Sequence, residues 1–148
     1  MREQITQVML VDDDPDDLGF AREAFDRSGA AFEYTTFTTG RSAMNHLHTA
    51  PLVQGQRVLP HIIISDLRVP DCDGLELLKF VKSDDALSHI PVIIMSSAHH
   101  PATEAKCRKS GVAGFFIKPF TIEGYDNWLL LITPLFQTAV STGHSERF

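Results

Sequence analysis

Four short apolar runs punctuate the chain: Val8–Val11, Ile62–Ile64, Val92–Met95 and Phe115–Ile117. Each is continuous rather than alternating and is rich in β-branched or aromatic residues. That pattern belongs to strands covered on both faces, as in a parallel sheet. A fifth run, Phe32–Phe37, alternates apolar with polar positions and suits a strand nearer a sheet edge. Helical patterns lie between the runs. Pro15 opens one that carries Leu18, Phe20, Ala21, Ala24 and Phe25. Asp14 can cap it, the acids behind Asp14 complement the helix dipole, and Gly29 can stop it. Ser42–His48 forms a second helix, with Ala43, Met44 and Leu47 inward. Leu75–Val81 forms a third, with Leu75, Leu78 and Val81 on its inner side, and Ala102–Lys109 a polar fourth. The fifth runs from Ile122 to about Val140, with Pro134 expected to kink or end it. On it Ile122, Tyr125, Trp128, Leu129, Ile132 and Phe136 trace one face, and Leu130, Leu131 and Leu135 fall off that face. The stretch Ala50–Pro60 reads as an irregular surface loop. Ser141–Phe148 reads as a short fraying tail after a domain of residues 1–140.

Five β-α alternations imply an α/β fold: a single-domain, doubly wound, five-stranded parallel sheet with helices on both faces. A length of 148 residues fits one such domain. The net charge of −6 argues against a surface that coats nucleic acid or anionic lipid. No apolar run approaches the ~20 residues that span a bilayer, so no membrane contact is expected. The N-terminus lacks the apolar stretch and cleavage site of a signal peptide. Cys72 and Cys107 form no Cys-x-x-Cys pair and suit a reducing, cytoplasmic setting.

In open parallel sheets, ligands bind beyond the carboxyl ends of the strands. Those ends here carry Asp12-Asp13-Asp14, Ser65-Asp66, Ser96-Ser97 and Lys118-Pro119. Carboxylates crowded into one cleft repel unless a cation joins them or one is protonated. Hard oxygen ligands suit Mg²⁺, and a hydroxyl and an ammonium beside it suit a phosphoryl group. The set reads as a Mg²⁺-dependent aspartyl-phosphate site with a carboxylate nucleophile. Asp14, Asp16 and Asp17 read as helix-start residues, and His46, His48, His99 and His100 as surface or loop residues. An alternative is a Mg²⁺-dependent aspartyl-phosphate phosphatase of the dehalogenase class. That chemistry needs a second Asp two positions after the nucleophile, where Arg68 stands. A nucleotide- or flavin-binding module would place a glycine-rich loop after the first strand, where the three aspartates stand.

The motifs VDDDP (11–15), ISDLRVPDCDG (64–74), IPVIIMSSA (90–98) and GFFIKPF (114–120) resemble those of the receiver domain of two-component response regulators. The resemblance covers about residues 5–140. The Ala50–Pro60 connection and the Trp-bearing last helix are similar to the single-domain regulators that partner bacterial phytochromes. The resemblance implies a flavodoxin-like, CheY-like (βα)5 fold. It implies Asp66 as phospho-acceptor, and Asp12, Asp13, Asp66 and the backbone carbonyl of Arg68 as Mg²⁺ ligands. Ser96 would bond a phosphoryl oxygen, Lys118 would pair with the carboxylate and then the phosphoryl group, and Phe115 would be the switch aromatic. The Lys118–Pro119 bond would be cis. A sensor histidine kinase or phosphotransfer protein would supply the phosphoryl group. Output would pass to a partner or through a homodimer, by way of the fourth helix, fifth strand and fifth helix. The only chemistry implied is self-phosphorylation and autodephosphorylation.

Overall fold

Three of the helices begin where a side chain meets their free N–H groups. Asp14 Oδ1 accepts from the Asp16 amide at 2.9 Å, Thr39 Oγ1 from Ser42 at 3.1 Å and Asp73 Oδ1 from Glu76 at 2.8 Å. A computed structural model describes the backbone of residues 5–50, 52–53 and 56–145, and the side chains of residues 5–50 and 58–135. The main elements are β1 (Thr6–Val11), α1 (Pro15–Arg27), β2 (Phe32–Phe37), α2 (Gly40–His48), β3 (Ile62–Asp66), α3 (Gly74–Ser83), β4 (Val92–Ser96), α4 (Pro101–Lys109), β5 (Gly114–Ile117) and α5 (Ile122–Ser145). The five strands form one parallel sheet in the order β2-β1-β3-β4-β5. This is the architecture the alternation implies. The alternating β2 lies at an edge, and the strand order reverses between β1 and β3.

The apolar strand runs serve two cores at once. Val8, Leu10, Ile62, Ile64, Ile93 and Met95 pack against α1 and α5, where Phe25, Tyr125, Trp128 and Ile132 meet them. Met9, Val11, Ile63, Val92, Ile94 and Phe115 pack against α2, α3 and α4. Each fully buried large side chain contributes roughly 1.5–3 kcal/mol. In the first core the Phe25 ring packs edge-on against Phe32 at 4.6 Å and Trp128 at 6.0 Å.

Several boundaries differ from the sequence expectation. On α3 the fully buried residues are Leu77, Leu78 and Val81, and Leu75 is only half-buried. The stretch read as an irregular loop contains a short antiparallel hairpin that pairs Leu52 with Arg57 and Val53 with Gln56. Two-residue strands carry no periodic signal, so the pattern of the chain could not reveal them. The last helix does not end at Pro134 but continues to Ser145, into the expected tail. Proline removes the amide that would bond the Leu130 carbonyl, yet Leu130 and Pro134 are both exposed, so water can replace it. Ile122, expected in the core, is 42% exposed. Phe136 lies outside the residues whose side chains are described.

The loop between β3 and α3 is pinned from two sides. The Gly40 amide donates to the Pro70 carbonyl at 3.2 Å, and the Gly74 amide to the Leu67 carbonyl at 3.0 Å. A Cβ at Gly40 would run into the Cys72 carbonyl. That obstacle is backbone and cannot rotate away. Gly40→Ala is therefore expected to destabilise the fold by about 1–3 kcal/mol, read from the urea midpoint. An unchanged midpoint would contradict the close approach.

Candidate functional site

Side chains alternate between the faces of a strand, and this alternation selects which strand-end residues meet. Along β1, Val8 and Leu10 face α1 and α5, and Asp12 continues the series. Along β3, Ile62 and Ile64 do the same, and Asp66 follows. The register pairs Val8 with Ile62, so Asp12 and Asp66 stand side by side where the strand order reverses. The Lys118 amide donates to the Ser96 carbonyl at 2.7 Å, which carries the β4–β5 ladder one residue further. Lys118 follows Phe116 onto the same face.

The Lys118 ammonium lies 2.8 Å from Asp12 Oδ2, 2.7 Å from Asp17 Oδ2 and 3.1 Å from Asp66 Oδ2. Asp12, Asp66 and Lys118 are largely shielded from water, with Lys118 only 11% exposed. The remaining oxygens of both acids point toward backbone. Asp12 Oδ1 accepts from the Asp14 amide at 2.9 Å, and Asp66 Oδ1 from the Arg68 amide at 3.4 Å. The expected cis bond between Lys118 and Pro119 is not present, because the peptide bonds of the described residues are all trans. The ladder bond and the long lysine side chain bring the ammonium to the acids without it.

Electrostatics at the site is a contest between burial and one cation. Burial pushes the Asp12 and Asp66 carboxyls above the ordinary aspartate range, and Lys118 pulls them back only in part. Burial disfavours the Lys118 ammonium, but its hydrogen bonds to Asp12 and Asp17 and the charges of Asp12 and Asp66 outweigh that and raise its pKa. Burial, then the charge of Asp17, pushes the nearby Tyr125 phenol up to about 12.

Carboxylate oxygens of Asp12, Asp13 and Asp66 lie within 4.8 Å of one another. Asp13 is exposed. An all-oxygen set of three acids, short of positive charge and open on one side, fits a hard divalent cation such as Mg²⁺. The Asp12, Asp13, Asp66 and Lys118 of the sequence reading thus come together. Ser96 stands at the end of β4, where its hydroxyl donates to the Ala98 carbonyl at 2.6 Å and accepts from the Ala98 amide at 3.3 Å. Phe115 is buried on the opposite face, in the core with α4. The side chain of Arg68 is exposed.

Asp17 is the residue that the sequence reading placed elsewhere, as a helix-start acid. A signal was available. Asp17 precedes Ala21 by one turn and Ala24 by two, so it sits on the inward stripe of α1. Below it, a small cleft lies between α1, α5 and the sheet. Leu18, Ala21, Met95, Tyr125 and Trp128 line it together with the acids and Lys118.

The doubly wound parallel sheet with a carboxylate–lysine edge where the strand order reverses defines an α/β domain of the flavodoxin-like class. The model of the response regulator receiver domain matches residues 8–126, and the chain belongs to that family. It is 32% identical over 117 residues to the two-component response regulator ORR1 of Oryza sativa, covering 78% of this chain and 50% of that protein. It is 31% identical over 115 residues to the polar-differentiation response regulator DivK of Brucella anthropi, covering 78% of this chain and 85% of DivK. The chain thus spans about half the length of the rice relative but most of DivK. Among solved structures, the phosphorylated cyanobacterial phytochrome response regulator RcpA superposes with a TM-score of 0.72 at 26% identity. That match covers 92% of this chain and 89% of RcpA.

The pKa directions have a stability consequence. Folding raises the pKa of Asp12 and Asp66, so each ionised acid costs stability, and that cost fades as pH falls through the carboxylate range. Lys118 offsets the cost, and its contribution is fully present below the ordinary lysine pKa. Lys118→Met is therefore expected to lower metal-free stability by about 3 kcal/mol near neutral pH. The loss should shrink near pH ~4, where the acids take up protons. Urea unfolding at the two pH values checks this, and a loss independent of pH would contradict it.

Proposed function

We propose that the chain is a response regulator that accepts a phosphoryl group on Asp66 from a sensor histidine kinase or a phosphotransfer protein, in a Mg²⁺-dependent reaction. The observation that carries this reading is the placement of the Asp66 carboxylate. It is shielded, it stands 3.1 Å from Lys118, and it clusters with two further acids. A carboxylate oxygen of Asp66 forms the bond to phosphorus as the phosphorus–nitrogen bond of the donor phosphohistidine breaks. The donor ring, already protonated on its other nitrogen, takes the electron pair of the broken bond and leaves as neutral imidazole. Asp12, Asp13, Asp66 and the Arg68 carbonyl would hold Mg²⁺, which when bound offsets the charge on the phosphoryl oxygens. Lys118 pairs with the new phosphoryl group as it pairs with the carboxylate. Self-phosphorylation and its hydrolytic reversal are the only chemistry this reading needs. It also places the protein in the cytoplasm. No helix among the described residues is long and apolar enough to cross a membrane.

The switch follows from the two faces of the sheet. A phosphoryl group adds about two negative charges and strong acceptors. It draws the Ser96 hydroxyl from its bond to Ala98 and opens space beside β4 that Phe115 can exploit. Phe115 has no hydroxyl, so its two positions differ by packing alone. The change biases an existing equilibrium. Output passes through α4, β5 and α5 to a partner or a second copy. Leu130 and Leu131 of α5 stand 72% and 65% exposed. The likeness to RcpA supports a phytochrome-type kinase as the donor.

Mass spectrometry after incubation with Mg²⁺ and acetyl phosphate should find one phosphoryl adduct on Asp66, absent from Asp66→Asn and from samples with chelator. No adduct on the parent chain would defeat the proposal. For the output face, sedimentation of the phosphorylated parent against Leu131→Lys should show a dimer only in the parent. Monomers in both would remove self-association as the output.

A further inference from the structure

We infer that Asp17 is a positioning residue for Lys118, one that makes room for the divalent cation by giving the lysine somewhere else to go. This rests on the reading of the acidic edge as a Mg²⁺-dependent phospho-acceptor site. The contacts already described pose a problem. Lys118 sits on Asp12 Oδ2 and on Asp66 Oδ2, and both acids belong to the cluster that would hold the metal. A cation arriving there competes with the ammonium for the same oxygens. If the lysine left with no partner, a charge that is only 11% exposed would be stranded, which is costly.

Asp17 removes that cost. Its Oδ2 makes the shortest of the three ion pairs, at 2.7 Å, and it lies outside the Asp12–Asp13–Asp66 cluster. It is held on the inward stripe of α1, one turn before the buried Ala21, and lines the same cleft as Lys118. The lysine can therefore slide off the metal-binding oxygens while keeping a carboxylate partner. It also stays close enough to meet a phosphoryl group on Asp66. Neighbouring Asp16 occupies the same first helical turn, where it complements the dipole equally well, but it is exposed and makes no ion pair with Lys118. A role of Asp17 in the helix alone would make the two acids interchangeable.

The test compares Asp17→Asn with Asp16→Asn. Mg²⁺ affinity is read from calorimetry and from the fluorescence of Trp128, the one tryptophan of the chain, which lines the same cleft. Asp17→Asn is expected to weaken Mg²⁺ binding about three- to tenfold, and Asp16→Asn less than about twofold. At saturating Mg²⁺, the maximal rate of phosphorylation by acetyl phosphate should also fall in Asp17→Asn alone. In a Lys118→Met background the Asp17→Asn effect on Mg²⁺ should drop below about twofold, because no lysine remains to be placed. Equal behaviour of the two variants overturns the inference. So does an undiminished effect in the Lys118→Met background, which would mean that Asp17 acts on the cation through its own charge. Asp17→Ala supplies the same comparison should Asp17→Asn fail to fold. If the parent chain takes up neither Mg²⁺ nor a phosphoryl group, the phospho-acceptor reading itself has failed. If the parent does both and the variants match, only the role of Asp17 has.

Discussion

The ammonium of Lys118 is shared among Asp12, Asp17 and Asp66 at the carboxyl edge of the sheet, and the rest of the site is arranged around that sharing. Shielded carboxylates repel one another and resist ionisation, and one cation is too few for the four acids gathered there once exposed Asp13 is counted. The shortfall is visible in the raised carboxyls of Asp12 and Asp66, where the pull of Lys118 does not overcome burial. An incompletely neutralised cluster of hard oxygens attracts a divalent cation, and a phosphoryl group bound to such a cation in turn needs a lysine nearby. The same imbalance that costs the metal-free fold some stability is what equips the edge for its proposed chemistry.

The sheet sets this edge by counting. Strands buried on both faces send successive side chains to opposite cores, and the register places Asp12 beside Asp66. Lys118 arrives on the same face one ladder step beyond β5. The loop after Asp66 is held by the Gly40 and Gly74 amides, and Gly40 is glycine because the Cys72 carbonyl leaves no room for a Cβ. Packing of α1 and α5 on that face closes the site from below.

The residues proposed to respond lie on β4 and β5, beside the acidic edge. Phe115 is buried in the α2–α4 core, Ser96 bonds its own turn at the end of β4, and the register joins Ile94 to Phe115 and Ser96 to Ile117. The proposed chemistry and the proposed readout would thus be linked through two adjacent strands. A change at the end of β4 need travel only one strand to reach the aromatic ring.

Much of this was legible in the chain itself. Unbroken apolar runs identify doubly covered strands because only such strands need apolar residues at every position, and the caps at Asp14 and Asp73 are local hydrogen bonds that neighbours decide. Asp12, Asp13, Asp66 and Lys118 were readable as strand-end residues of a parallel sheet. Other features depended on partners distant in sequence. Asp17 became part of the site through a lysine 101 positions away. Ser96 turned out to bond its own turn, Pro134 left the helix unbroken because water can reach the bond it removes, and Lys118 reached its acids across a trans proline bond. Local pattern determines what a segment prefers by itself. Which charges share a cation is decided only when the folded chain brings them within a few ångströms, where burial makes each charge depend on its neighbours.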